Sequence, residues 1–368
     1  MIRHPKKNIV WRHVEKFLVV FLFLYASSPF AGQLNDNKES FFNILSQEIP
    51  KTRDIIYITK TYRNTPTAKG KSIATVKAIK KNGKDGISII EGKYIFSIQI
   101  SPDKSKLLLI APDHSPEKNN DIDWLNSHIW LYGEGKLKQL TSGRVIDSDA
   151  IFSVSGDKIY FTRSKIFSDV ISGMLKTTKS NIWVMNPDGS EPLQLTFSEK
   201  NIINITPIPI KDSKKILFTT NRNEKWQMFV MDEDGTNQKF FIDNGMLGRW
   251  SPDGKLLAYM DTSPGNIYLA NRDGQLIRRL TEESDVNFAP TWSPDSQYLT
   301  YSRINSAYLS PTHSPGDKHS PENIPKGFLR EEPYADIWKL SIDKKGEGAK
   351  RLTNQGLNNN FPHWIQYR

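Results

Sequence analysis

One phrase recurs along this chain and limits what it can fold into. WSPDGKLLAY at Trp250–Tyr259 returns as WSPDSQYLTY at Trp292–Tyr301, with weaker copies in ISPDKSKLLLI (Ile100–Ile110), FSVSGDKIYF (Phe152–Phe161) and PIKDSKKILF (Pro209–Phe218). The anchor positions are Ser101, Ser153, Ile210, Ser251 and Ser293, spaced by 52, 57, 41 and 42 residues. Self-similarity at such a period means that one supersecondary unit is stacked many times, and the shorter spacings match a four-stranded propeller blade.

Each unit reads as four short strands. Phe288–Trp292 is a first strand, with Pro290 acceptable where pairing ends or at an edge. Ser293-Pro294-Asp295-Ser296 supplies turn chemistry, and Tyr298–Ser302 is a second strand. Third strands are NIWVM (Asn181–Met185), QMFVM (Gln227–Met231), NIYLA (Asn266–Ala270), DIWKL (Asp336–Leu340) and HIWLY (His128–Tyr132). Hairpin signals follow at Asp188-Gly189, Asp234-Gly235 and Asp273-Gly274, and a fourth strand ends on Leu-Thr at Leu140, Leu195, Leu280 and Leu352. A helical solenoid would suit the period, but five-residue β-branched and aromatic runs bounded by Pro, Asp and Gly argue against helices.

Five complete units leave a lone first strand in NNNFPHWIQYR (Asn358–Arg368), which matches NFAPTW (Asn287–Trp292). An unpaired edge would template aggregation, so its partners are expected at the other end of the chain. DIIYIT (Asp54–Thr59) fits the second strand, SIATVKAI (Ser72–Ile79) the third and GISII (Gly86–Ile90) the fourth, with Asn82-Gly83 as a turn signal. The expectation is an all-β, six-bladed propeller over 52–368, closed by its N-terminal strands and forming one domain.

The WSPDG phrase, the aromatic third strand, the Asp-Gly hairpin and the Leu-Thr close together resemble the repeats of the TolB family, periplasmic propeller proteins of the Tol–Pal cell-envelope system. The resemblance covers Thr52–Arg368. The family carries a separate α/β domain before its propeller. Residues 33–51 are too short for one, with a single helix expected around Glu39–Glu48, so the resemblance is to the propeller part alone. It implies a non-catalytic protein-interaction module whose partner is an envelope protein, by analogy the lipoprotein Pal.

Arg3, Lys6, Lys7, Arg12 and Lys16 precede the apolar run Phe17–Ala26 and small residues through Ala31-Gly32, the order of a cleaved secretory signal over 1–32. The run is too short to span a bilayer, so no integral anchor is expected. Cysteine is absent, which excludes disulfides, thiol catalysis, Cys-based metal sites and a lipid anchor on a cysteine. With the resemblance, this places the chain in a Gram-negative periplasm, as a monomer. The formal net charge is +10, of which the leader carries four; the remainder favours acidic partners or the anionic envelope surface. No dense Lys/Arg stripe is present, and nucleic-acid binding is not expected.

Strand order places the SPDG and Asp-Gly turns on one face. The long second-to-third connections, Tyr62–Gly70, Pro112–Ser127, Arg163–Ser180 and Arg303–Ala335, leave from the other. Insertions gathered on one face mark a binding surface. The longest includes the Pro-rich stretch Ala307–Tyr334, read either as a semi-extended arm or as a disordered loop. The same face carries a basic residue just after each second strand: Arg163, Arg222, Arg303 and, in the N-terminal unit, Lys60 or Arg63. A rim of guanidinium forks would grip carboxylates of a partner; alternatively each pairs with an acidic neighbour in its own blade. His363, on a first strand, is the fifth partner-binding candidate.

The competing function is a carbohydrate- or peptide-processing propeller of lyase or lactonase type. That reading requires a channel cluster, such as His363 beside two carboxylates. The other histidines past the leader are His114, His128, His313 and His319. None completes a ligand pattern, and no G-x-S-x-G elbow occurs. No catalytic residue, metal or cofactor is therefore expected. Trp250, Trp292 and Trp364 at first-strand ends, and Trp130, Trp183 and Trp338 in third strands, are expected to pack between blades.

Overall fold

The Ser-Pro-Asp phrase is a turn staple. In the four copies anchored by serine its hydroxyl donates to an aspartate two or four residues on: Ser101 to Asp103 at 2.5 Å, Ser153 to Asp157 at 2.6 Å, Ser251 to Asp253 at 2.5 Å and Ser293 to Asp295 at 2.5 Å. The same hydroxyl accepts the backbone N–H that opens the next strand, from Lys106, Lys158, Leu256 and Tyr298, at 2.9–3.1 Å. Hydrogen bonds from these serines hold the carboxyls of Asp103, Asp157 and Asp253 below their ordinary range.

The computed structural model describes residues 42–65, 68–92, 94–112, 127–165, 179–199, 202–262, 265–281, 285–304, 335–343, 348–353 and 358–365. They form six antiparallel sheets arranged as a closed ring. Blade 1 is β5 (Ser97–Ile100), β6 (Leu107–Ala111), β7 (His128–Gly133) and β8 (Lys136–Gln139). Blade 2 is β9 (Val145–Phe152), β10 (Ile159–Lys165), β11 (Ser180–Met185) and β12 (Leu193–Gln194). Blade 3 is β13 (Asn204–Pro209), β14 (Lys215–Thr220), β15 (Gln227–Asp232) and β16 (Lys239–Asp243). Blade 4 is β17 (Gly245–Trp250), β18 (Leu256–Asp261), β19 (Ile267–Asn271) and β20 (Leu276–Arg279). Blade 5 is β21 (Val286–Trp292), β22 (Tyr298–Ile304), β23 (Ala335–Ser341) and β24 (Lys350–Arg351).

The closing blade takes its inner strand, β25 (Asn358–Trp364), from the C-terminal side, and β2 (Ile55–Thr65), β3 (Ala68–Ile79) and β4 (Ile87–Gly92) from the N-terminal side. Ile55 pairs with Trp364 and Lys60 with Asn358. The ring is therefore clasped as the sequence predicts.

Two elements differ from expectation. Phe42–Ile44 is not helical; it is β1, a fifth strand on the outer edge of β4, with Phe42 opposite Gly92 and Ile44 opposite Ile90. The free edge of β4 supplies backbone partners, and Phe42 packs edge-on to Trp130 of blade 1 at 5.0 Å. Tertiary pairing thus overrides local helix preference. The second difference is Tyr62–Gly70, which does not form a loop: β2 and β3 run on as one long hairpin, with Tyr62 opposite Ser72 and Thr65 opposite Ala68. Of the other expected insertions, 113–126, 166–178 and 305–334 lie outside the described residues, as does the leader.

The Leu-Thr close has a specific role. Thr141, Thr196, Thr281 and Thr353 each accept, at 2.9 Å, the backbone N–H of a fully buried third-strand isoleucine: Ile129, Ile182, Ile267 and Ile337. The leucine beside the threonine receives the next blade. At Gly235, φ is +88 and an added Cβ would lie 2.1 Å from the Leu195 carbonyl oxygen of blade 2; at Gly83 it would lie 2.3 Å from that of Leu352 in blade 5. Only glycine permits this backbone approach, which ties the Asp-Gly signal to the Leu-Thr signal of the preceding blade.

Candidate functional site

Five of the inner strands share a feature not expected from the repeat. Each bulges at a non-glycine residue with positive φ: Asp149 (51), Thr206 (53), Leu247 (51), Ala289 (50) and Phe361 (53). The ladder slips at each of these places. A bulge re-aims the side chains after it, and non-glycine residues here carry strain that the surrounding sheet must offset. Pro207, Pro290 and Pro362 sit in these bulges, where no ladder hydrogen bond is forfeited.

Around the axis, three titratable side chains come from alternate blades: Asp149 on β9, Arg249 on β17 and His363 on β25. Arg249 acts electrostatically on both Asp149 and His363, although neither blade 2 nor the closing blade adjoins blade 4. Only the central channel connects them. Asp149 Oδ2 accepts from the Ser148 and Thr162 hydroxyls, both at 3.0 Å. Burial nonetheless pushes the Asp149 carboxyl up. Burial also lowers the affinity of Arg249 for its proton. His363 is pushed down to about 3, by burial first and then by Arg249; its hydrogen bond with the Ile98 backbone opposes the shift.

His363 therefore stays neutral in the fold and takes a proton near its ordinary 6.5 when unfolded. Above that pH neither state binds this proton. As pH falls from about 6.5 towards about 3 the unfolded state gains protons first, and stability drops by up to about 1.4 kcal/mol per unit. Asp149 works in the opposite sense, because acidification relieves the cost of its buried charge. His363→Gln is expected to flatten the acid limb of stability against pH, measured by urea unfolding between pH 7 and 4. Parallel curves for the two proteins would contradict the assignment.

On the loop-bearing face, the structure resolves what the basic residues hold. Arg163 clasps Asp147 through its side-on edge, Nε to Oδ1 at 2.7 Å and Nη2 to Oδ2 at 2.9 Å, and lies over Trp183 with its centre 5.2 Å from the ring centroid. Arg303 also meets a carboxylate, with Nε and Nη2 both 2.7 Å from Oδ2 of Asp285, and its centre lies 4.6 Å from the Trp338 centroid. Both forks thus engage a carboxylate of their own blade. Arg222 differs. Its partners are neutral, Thr220, Asn204 and Gln238, and its guanidinium sits 4.5 Å from the Phe229 centroid. Arg63 lies on the long hairpin opposite Lys71. His363 is not with these arginines; it is in the channel, and the charged groups acting on it are Arg249 and Lys104 rather than two carboxylates.

Repeat alignment held a signal for the channel residues. Arg249 occupies the place taken by Ile151, Ile208, Thr291 and His363 in other first strands, and Asp149 the place taken by Thr206, Leu247, Ala289 and Phe361; the only other titratable residue at these places is His363. A charge replacing neutral residues in a repeat marks a departure from scaffold.

A family model described as TolB beta propeller domain matches residues 167–308. The Tol-Pal system protein TolB of Alcanivorax borkumensis is 33% identical over 112 residues, covering 28% of this chain and 26% of that protein. The match thus spans about a quarter of that relative's length. TolB from Acinetobacter baumannii superposes with a TM-score of 0.59 at 16% identity, covering 88% of this chain and 68% of that one. Putative TolB from Agrobacterium tumefaciens gives 0.53 at 14% identity, covering 82% and 88%. Hydrazine synthase from Kuenenia stuttgartiensis gives 0.58 at 13% identity, covering 87% and 48%. At these identities the solved structures show the fold alone, and a fold hosts many functions.

Proposed function

We propose, from the premise that the chain is a TolB-like six-bladed β-propeller, that it is an exported, non-catalytic interaction module of a Gram-negative periplasm. It acts as a monomer and docks a cell-envelope protein, by analogy Pal, on the face from which its second-to-third connections leave. The observation that carries this reading is the asymmetry of the two faces. Stapled Ser-Asp turns and Asp-Gly hairpins fill one, and their aspartates are already engaged within the turns. On the other, β6, β10 and β22 end and β7, β11 and β23 begin, and the β2–β3 hairpin runs out past it. Insertions on one side of a repeat array are where such proteins bind.

On that face Arg222 is a cation with neutral hydrogen-bond partners, so a carboxylate from a partner would find a stacked, oriented guanidinium. The soluble part of Pal from the same genome is the appropriate probe, with the chain from residue 33 onward immobilised. Binding is expected to fall at least tenfold when 307–334 is replaced by a short Gly-Ser linker, and several-fold in Arg222→Met. It is expected to survive Lys255→Glu on the turn face. Loss in Lys255→Glu with full binding by the two loop-face variants would put the partner on the wrong side. Absence of binding, with turnover of a sugar or lactone panel, would favour the lyase or lactonase reading instead.

A further inference from the structure

We propose that the axial channel binds a small organic carboxylate, received by the side-on edge of the Arg249 guanidinium. This site is separate from the loop-bearing face and does not depend on how a protein partner docks there.

The argument begins with the hydrogen bonds of Arg249. Nη1 donates to the Gly248 carbonyl at 2.7 Å, whereas Nε is buried and has no hydrogen-bond partner among the described residues. No described carboxylate lies within ion-pair distance of the group. A buried guanidinium N–H left unsatisfied is costly, and charged donors cost more than neutral ones. The chain itself shows what this edge accepts: in Arg163, Nε and Nη2 hold both oxygens of Asp147. Arg249 carries the same planar fork; with its Nε closed off from solvent, a ligand reaches this edge by a turn of the side chain toward the axis, where Asp149 and His363 feel its charge.

The strand that carries the fork is fixed before any ligand arrives. Leu247, two residues earlier, is the positive-φ residue of the bulge in β17. Gly248 packs closely against blade 3, where an added Cβ would approach the Met228 Cε to 2.7 Å and the Ile208 Cδ1 to 3.3 Å. The Arg249 carbonyl accepts the Trp292 indole N–H at 2.8 Å, tying the strand to blade 5. A site held by its supporting residues loses little entropy on binding.

Charge chooses the ligand class. Asp149 lies across the channel with its carboxylate already receiving two hydroxyl donors, and His363 beside the site is neutral. One guanidinium opposed by one carboxylate supports a monoanion better than a phosphate dianion, and the bidentate geometry suits a planar carboxylate.

The test uses the chain from residue 33 onward at fixed ionic strength, with acetate, propionate, phosphate and chloride titrated separately by calorimetry and thermal unfolding. Acetate or propionate is expected to bind saturably and raise Tm by a few degrees, while phosphate and chloride at equal concentration do not. Arg249→Lys keeps the charge but removes the fork, and Arg249→Met removes both; each is expected to weaken carboxylate binding at least tenfold. Arg272→Met, a cation of the turn face, is expected to change nothing. Asp149→Asn is expected to tighten binding several-fold by removing the opposing charge, which provides a second readout should Arg249→Met fail to fold. No saturable response, an equal response to all four anions, or unchanged affinity in Arg249→Lys would overturn the site.

Discussion

Deleting residues 358–368 is expected to abolish cooperative folding. The deletion strips the inner strand from the closing blade, leaving β2 with an open edge on the channel side. Ile55, Ile56 and Ile58, all fully buried in the intact ring, lose their covering strand. Trp364 goes with it, from the cluster it forms with Ile55, Tyr57 and Ile337. Native stabilities of about 5–15 kcal/mol do not survive the loss of a whole core strand, and the exposed edge would recruit other chains. The expected observation is a broad thermal transition without a defined Tm, with multimers on size exclusion. A truncated chain that melts cooperatively at the parental Tm would refute closure by β25. A graded version separates packing from hydrogen bonding. Trp364→Ala is expected to cost about 3–5 kcal/mol through the cavity it leaves. Trp364→Phe should cost far less, since the buried Trp364 indole N–H has no partner to lose.

The second large effect is expected at Arg163. Its partner Asp147 has a fully buried side chain. Arg163→Ala therefore leaves an uncompensated buried carboxylate and removes the cation lying over both Phe161 and Trp183, for a loss of about 3–5 kcal/mol in urea unfolding. The double variant Arg163→Met with Asp147→Asn should recover most of that loss, because both charges leave together and the methionine still covers the rings. Arg222→Met, with no carboxylate to strand, should cost only about 1–2 kcal/mol. A loss below about 1 kcal/mol for Arg163→Ala, or no recovery in the double variant, would mean that the pair is not structural. The comparison also bears on binding. If Arg163 served a partner instead of Asp147, its removal would weaken docking while leaving stability intact.

These outcomes rest on features that were unequally legible in the sequence. Blade boundaries could be read directly because turn chemistry is local: Ser251 and Asp253 lie two residues apart, and Asp234-Gly235 closes its own hairpin. The clasp could be inferred because Asn358–Trp364 repeats the first-strand pattern of Asn287–Trp292, while 54–90 carries the patterns of a second, third and fourth strand. The partners of the arginines were only half legible. Arg303 meets Asp285 from the segment leading into its own blade, and Arg163 meets Asp147 across a strand pair, while Arg222 finds Asn204 at the position Asp147 holds in blade 2. The register decides which of these is a carboxylate. The N-terminal strand β1 is not legible as a strand, since its partner β4 is an edge that exists only once the closing blade has formed.

The repeat by itself determined the number of blades, the way the ring closes and the face on which its tight turns lie, since periodic strands and short turns depend on neighbours a few residues away. Only the tertiary structure decided what occupies the axis. Asp149, Arg249 and His363 belong to blades that never touch, and no local period relates them. They come together because six sheets close on one another, and because bulges two residues before Arg249 and His363, and at Asp149 itself, turn the inner strands at those points.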